Sequence, residues 1–307
     1  MGVSRRSNRR AFLQDVGKIA GGVALAGSAL PFAAAAEAAP DLAVTRGEDP
    51  KALVRRAIEM LGGMSRFVSR GDVVVIKPNI GWNRVPRLAA NTNPDLVVTL
   101  IEMALAAGAK KVRVFDNPVV NARIAFEMSG IETAARAAGA EVVLPDDRFL
   151  RKVEIKGGRV LKTWPVYATV LDCDCLINVP VAKHHSVAGL TMALKNHMGV
   201  IGGEREQWHR ILHPALAEFA TLIRPKLTVL DAYRIMVRHG PTGGSMGDVE
   251  MARKCIAGVD QVAVDAYGAS LFKLDPRRIG YLVEAGKLGV GVNDVAKLKI
   301  REEDVKS

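Results

Sequence analysis

The apolar positions of this chain fall in short runs separated by turn residues, and their period alternates between strand and helix along most of its length. Lys51–Leu61 carries apolar residues at helical spacing and closes on Gly62-Gly63, which predicts a helix. Asp72–Lys77 is a continuous apolar run of the length a fully buried strand takes. Asn93-Pro94 offers an N-cap with proline at the first helical position, opening a helix that continues through Leu105 and stops at Gly108. Lys111–Phe115 follows as a strand. Strand, helix and strand over this span make a βαβ unit, for which parallel pairing and a right-handed crossover are expected.

The alternation continues. Helices are predicted at Ala122–Met128 and Glu132–Ala138 and a strand at Glu141–Leu144, while polar Arg151–Lys162 around Gly157-Gly158 reads as a hairpin insertion. Cys175–Val179 is a strand ending at Pro180, a helix is expected to begin near Ala188, and another spans Pro214–Ile223. Lys226–Leu230 reads as a strand ending at Asp231, and Lys254–Gly258 as a further short one. Asp260 caps a helix to Phe272, and Asp275-Pro276 caps a last one through Ala285. This order predicts an α/β fold with a doubly wound, mostly parallel sheet and helices on both faces. It fits a single domain over residues 39–307, with its core at about 70–290 and room for a small subdomain inserted between 180 and 250.

The first 38 residues stand apart. A basic stretch ending Asn8-Arg9-Arg10-Ala11-Phe12-Leu13-Gln14 precedes an apolar run from Ile19 to Phe32 and a tract of small residues from Ala33. That is the three-part order of a signal peptide, and the apolar run is too short and too rich in Gly and Ala for a comfortable membrane span. Arg9-Arg10 with Phe12-Leu13 resembles the twin-arginine signal, with Asn8 and Gln14 at the positions usually held by Ser/Thr and Lys. Ala36-Glu37-Ala38 offers a cleavage site. The resemblance implies export of the folded protein by the twin-arginine translocase to a periplasmic or extracellular location, with no stable membrane span after cleavage.

Composition narrows the reading further. At 307 residues, 49% hydrophobic and 24% charged, the chain has ample apolar material for a core, which excludes disorder as a whole-chain description. The net charge of +11 remains clearly positive after the basic leader is set aside, so anionic partners are favoured. No dense Lys/Arg run with interleaved aromatics occurs, which argues against nucleic acid. Cys173, Cys175 and Cys255 are too few for a disulfide scaffold and read as buried strand thiols, a bridge from Cys255 being the alternative.

Ligands of open parallel sheets sit beyond the carboxyl ends of the strands, so the residues that follow each strand are the first candidates for a site. They are unusually polar: Lys77 and Asn79, then Asp116 and Asn117, then Lys183, His184 and His185, then Asp231. Five of the six histidines, His184, His185, His197, His209 and His213, fall within thirty residues. They admit three readings: metal ligation, with His185 and His213 as the candidates, hydrogen bonding to a substrate or anion, or a structural role. His209 and His213 lack the intervening Glu of a zinc peptidase helix, and Pro214 suggests that the helix starts after His213. Lys195-Asn196 and the turn His239-Gly240-Pro241-Thr242-Gly243-Gly244 are two further places able to hold an anion, Gly243 through its backbone amide. Neither a P-loop ending nor a dinucleotide-binding glycine fingerprint occurs.

Taken in order, these segments resemble the family called domain of unknown function 362. The matching runs are Val75-Ile76-Lys77-Pro78-Asn79, Asn91-Thr92-Asn93-Pro94, Val114-Phe115-Asp116, Ile177-Asn178-Val179-Pro180 with Lys183-His184-His185, Leu194–Gly199, His213, Asp231, Gly240-Pro241 and Val262–Asp265. The family's Lys-x-His matches Lys183 and His185, which makes His184 the lesser candidate. Some relatives append four-cysteine iron–sulfur segments and the family is described as iron–sulfur associated; this sequence carries no such cluster motif. No reaction is implied by the resemblance.

Two functional expectations follow. One is an exported enzyme or cofactor-bearing protein whose cleft holds a small anionic ligand. In it His185, Lys183, His213 and Asp231 would be the acid–base groups, and Lys77, Asn79, Asp116, Lys195, Asn196 and Gly243 the binding groups. The other is a non-catalytic anion- or metal-binding module, or an accessory to redox or iron–sulfur partners.

Overall fold

The computed structural model describes residues 39–306, and the signal-like segment 1–38 lies outside the described residues. By their contacts, residues Ala39–Ser307 make one compact unit. In chain order the strands are β1 (Leu42–Arg46), β2 (Val73–Pro78), β3 (Lys111–Phe115), β4 (Glu141–Val143), β5 (Leu150–Glu154), β6 (Thr163–Tyr167), β7 (Cys175–Val179), β8 (Val181–His185), β9 (Gly189–Thr191), β10 (Leu227–Met236), β11 (Val249–Gly258) and β12 (Ile300–Asp304). The helices are α1 (Pro50–Met60), α2 (Pro94–Ala106), α3 (Ala122–Met128), α4 (Ile131–Ala137), α5 (Ala168–Leu171), α6 (Ala193–Asn196), α7 (Leu212–Leu222), α8 (Gln261–Ser270) and α9 (Gly280–Lys287).

Eight strands line up as β12-β1-β11-β10-β7-β2-β3-β4, with the β8–β9 hairpin attached through β10. From β10 to β4 every neighbouring pair is parallel, and β11 enters antiparallel between β10 and β1. This is the mostly parallel α/β sheet that the alternating pattern predicts. Its two faces are covered separately, because successive side chains of a strand point to opposite sides. Val74 and Ile76 of β2 join Leu53 and Ile58 of α1 and Val97 and Ile101 of α2 in one apolar cluster. Val75, between them, belongs to the other cluster, with Leu216 and Phe219 of α7, Val264 of α8 and Leu282 of α9.

Local chemistry explains where the helices start. The carboxylate of Asp49 accepts from Lys51 N with Pro50 at the first position, Asn93 accepts from Asp95 N ahead of Pro94, and Asp260 accepts from Val262 N and Ala263 N. Four expectations need correction. The segment after Ala188 is the β8–β9 hairpin rather than a helix. Helix α7 begins at Leu212 and takes His213 into its first turn, since the missing amide of Pro214 costs nothing where no intrahelical acceptor exists. Strand β10 does not stop at Asp231 but runs to Met236, and its two halves pair with β7 and then β8. The region 180–250 is therefore woven into the main sheet and forms no inserted subdomain.

That last feature shapes the site. Chain order and spatial order reverse between β2 and β7, where a parallel sheet opens a crevice at its carboxyl edge. Beyond β7, Pro180 interrupts the ladder, Asp231 N donates to its carbonyl at 2.8 Å, and β8 continues along β10 past the ends of its neighbours. The β8–β9 hairpin thus overhangs the crevice as a wall. The hairpin expected around Gly157-Gly158 is present as β5–β6 and forms its own two-stranded sheet.

Candidate active site

A cleft of about 530 Å³ lies at this edge, bordered by β2, β3, the β8–β9 wall and the segment after β9. Lys77 comes from the end of β2 and Asp116 from the residue after β3. Their side chains meet at 2.7 Å in the floor, 1% and 2% exposed. Lys77 Nζ also donates to Asn196 Oδ1 and to the carbonyl of Pro78, both at 2.8 Å. Asp116 accepts from Ile80 N at 2.5 Å and from Asn117 N at 2.9 Å. Burial pulls the Lys77 ammonium below its usual value, and Asp116 opposes that shift.

Carboxamides extend the network toward the hairpin wall. Asn196 Nδ2 donates to Asn178 Oδ1 at 2.8 Å, Asn79 Nδ2 donates to Asn196 Oδ1 at 3.2 Å, and Lys183 Nζ donates to Asn79 Oδ1 at 2.9 Å. Lys183 also donates to the carbonyl of Ala90 at 2.5 Å. Its hydrogen-bond partners are neutral, and desolvation with the nearby Lys195 and Lys77 charges outweighs the pull of the Asp116 carboxylate and pushes its pKa down to about 7. Lys195 is pushed down to about 8 by burial and by Arg205. His185 Nδ1 accepts from Val187 N and Ala188 N, and its ring is held at about 3 by burial and by Lys195 and His209. It is therefore a neutral imidazole at physiological pH.

The backbone that carries Lys195 and Asn196 is itself anchored. Asp265 of α8 accepts from Ala193 N at 2.6 Å and Leu194 N at 3.1 Å. Gly199, a turn later, lies so close to the floor that a Cβ there would stand 2.6 Å from Lys77 Nζ and closer still to Asp116 Oδ1. Only glycine fits that approach. The stretch Asn91-Thr92-Asn93 is a latch rather than a ligand site: Asn91 bonds the backbone of Trp82 and Arg84, and Thr92 bonds Asn79 N and the carbonyl of Val179.

The structure brings Lys77, Asn79, Asp116, Lys183, His185, Lys195 and Asn196 to one place, Lys77 beneath the other six, which line the cleft. Three of the expected residues lie elsewhere. Asp231 is buried in β10, where it accepts from Asn93 N and Tyr233 N and thereby ties the start of α2 to the sheet. His213 stacks on Tyr281, with ring centroids 6.4 Å apart, against Gly280 of α9. It therefore cannot share a metal with cleft-lining His185. Gly243 spends its amide on the carbonyl of His239 within the turn and packs on Met236; Pro241 is the residue of that turn that reaches the cleft. Among the described residues no group of three or more His, Cys, Asp and Glu side chains is placed to hold a metal ion. The cysteines do not fit an iron–sulfur cluster either: Cys175 and Cys255 are buried and all three are free thiols, raised above their usual pKa chiefly by burial.

Arg205 is the cleft cation that sequence reasoning missed. It opens a short 3-10 helix, Arg205–Arg210, that the apolar pattern does not announce, and donates to the carbonyls of Asn117, Met198 and Pro118. Thr191 was missed as well, because its place opposite Lys183 follows only from the hairpin register.

Residues 74–270 match the family described as Domain of unknown function (DUF362). The chain belongs to that family. A thylakoid-associated protein of Synechocystis sp. is 28% identical over 261 residues, covering 78% of this chain and 75% of that one. A crystal structure of a Thermotoga maritima protein superposes with a TM-score of 0.47 at 12% identity, over 74% of this chain and 60% of that one. The lactate racemase apoprotein of Thermoanaerobacterium thermosaccharolyticum gives 0.40 at 12% identity, over 74% and 56%. The DUF362 chain thus spans less than two thirds of either solved structure, and likenesses this distant carry no argument about its chemistry.

Proposed function

We propose that this DUF362 protein binds a small carboxylate or phosphate ligand in the cleft at the carboxyl edge of its sheet. The observation that carries the reading is that Lys183, Lys195 and Arg205 border one cleft while their polar contacts are an amide oxygen, backbone carbonyls and a thioether. Two acidic residues line the cleft: Asp116, whose charge is taken up by Lys77, and Glu206 beside Arg205, so Lys183, Lys195 and Arg205 together outnumber the carboxylate left to them. A ligand anion would supply the missing negative charge in a partly desolvated setting, where charge-assisted hydrogen bonds are strongest. With its pKa at about 7, Lys183 is shared between ammonium and amine at neutral pH, and its amine form and neutral His185 add a base and a hydrogen-bond donor, which favours an enzyme over a passive carrier.

The test is isothermal titration of the purified protein with inorganic phosphate, pyruvate and phenylpyruvate at low and high salt. Binding that weakens as salt rises, and that falls about tenfold in Arg205→Ala, supports the reading. Indifference to all three ligands overturns it. We further propose that the protein works outside the cytoplasm, exported folded on the strength of Arg9-Arg10; fractionation of an Arg9→Lys/Arg10→Lys variant, expected to stay in the cytoplasm, checks this.

A further inference from the structure

The β8–β9 hairpin places three chemically distinct side chains on one surface. Lys183 and His185 are two residues apart on β8 and so project to the same face. Thr191 stands directly opposite Lys183 across the antiparallel ladder, at cross-strand contact distance. All three line the cleft. Thr191 is 5% exposed, yet its Oγ1 has no hydrogen-bond partner. A buried hydroxyl in that condition costs stability unless a bound group completes it.

The hydrogen bonds of Lys183 determine which of its electrons are free. A neutral amine has two hydrogens, and Asn79 Oδ1 and the carbonyl of Ala90 are two acceptors that use both. The lone pair is then left without a role inside the protein. His185 accepts two backbone amides at Nδ1, so in the neutral ring the proton resides on Nε2, which makes that nitrogen a donor. A nucleophilic nitrogen that shares one cleft wall with two proton donors supplies the groups that addition to a carbonyl requires.

We propose that Lys183 forms an imine with the carbonyl carbon of an anionic oxo compound, an α-keto acid being the minimal case. The proposal rests on the anion-binding reading above, with Lys195 and Arg205 holding the ligand's carboxylate. The Lys183 lone pair forms the C–N bond while the carbonyl π electrons move to oxygen, where Thr191 and His185 donate hydrogen bonds. The two amine protons pass to that oxygen, the C–O bond breaks, and water leaves, so that carbonyl compound and amine become imine and water with no oxidant or reductant. Trp82, Val119, Val187 and Met198 give the cleft an apolar side, which suits a keto acid with an aromatic or branched side chain.

The experiment is reductive trapping: the purified protein is incubated with phenylpyruvate and sodium cyanoborohydride, and the adduct is read by intact mass and mapped by peptide. In parallel, phenylpropionate, which keeps the ring and carboxylate but lacks the carbonyl, is titrated calorimetrically. The expected result is one adduct per chain, on Lys183, absent in Lys183→Arg and formed several-fold more slowly in Thr191→Val. An adduct spread evenly over surface lysines, or one that survives Lys183→Arg, overturns the proposal. Mapping on the wild-type protein decides this even where a variant folds poorly. Phenylpropionate binding without any phenylpyruvate adduct removes the imine and leaves the anion cleft standing; neither binding nor adduct removes both.

Discussion

Lys77 Nζ stands 2.7 Å from Asp116 Oδ1 on the floor of the cleft, and the two side chains, at the ends of the neighbouring parallel strands β2 and β3, have almost no exposure to solvent. Each is desolvated at a cost of several kcal/mol, and their mutual attraction offsets this only because Asn196, Ile80 and Asn117 fill their remaining hydrogen-bonding positions. The pair therefore sets the geometry of the floor more than it adds net stability.

Asp116→Ala leaves Lys77 charged and unpaired and is expected to destabilise the protein by about 3–5 kcal/mol, whereas Lys77→Met with Asp116→Leu, which removes both charges, recovers a large part of the loss. Urea midpoints of the singles and the double measure this. A double variant as damaged as the sum of the singles contradicts the account.

Gly199→Ala drives a methyl group into both members of the pair, and neither can retreat from a buried floor. A loss of about 1–3 kcal/mol or more is expected, together with loss of anion binding. Gly81→Ala is the control: its Cβ meets only Asn79, at 3.6 Å, which is ordinary contact. Thermal unfolding of the two variants side by side distinguishes them.

Burial pushes the Asp265 carboxyl up to about 7 from 3.8, outweighing the two amide hydrogen bonds it accepts. The folded protein then keeps a proton that the unfolded chain has released throughout this interval, so stability is fully present below the lower value and falls as pH rises toward the upper one. Asp265→Asn is expected to flatten the slope between about pH 4 and about pH 7. Denaturant titrations across that range test it; an unchanged slope means that the carboxyl is ionised throughout.

Lys183, lowered to about 7 from 10.5, is expected to react with acetic anhydride at trace level with a midpoint near neutrality, while exposed lysines titrate near their ordinary value. Competitive labelling read by mass spectrometry gives the midpoint for each lysine. A Lys183 profile that coincides with the surface lysines contradicts the electrostatics described for the cleft.

Two helix starts were legible in the sequence because capping is local: Asn93 and Asp260 each satisfy amides within three residues. The central strands were legible because burial on both faces demands unbroken apolar runs, as in Val73–Ile76 and Cys175–Val179. Strand β10 was cut short in sequence reasoning because Asp231 looks like a strand terminus. In three dimensions Asn93 N and Tyr233 N bond its carboxyl, which lets the strand continue. Strands β1 and β12 were not expected, since they are five-residue segments defined by their partners, β12 at the sheet edge and β1 between it and β11. The β8–β9 hairpin escaped because Lys183, His184 and His185 hide its strand pattern.

The sequence by itself determined the α/β alternation, the cationic and amide residues at the strand ends and the family resemblance, since all of these depend on residue type and short-range spacing. Only the tertiary structure decided which of those residues share a cleft. Lys77 and Asp116 meet because β2 and β3 pair in parallel, and Thr191 faces Lys183 because a ladder register puts it there. Asp231 and His213 fall outside because long-range packing, against α2 and α9, uses their polar atoms or their rings. Contacts between residues far apart in the chain carry no periodic signature, so composition and spacing could propose this site's members but not select among them.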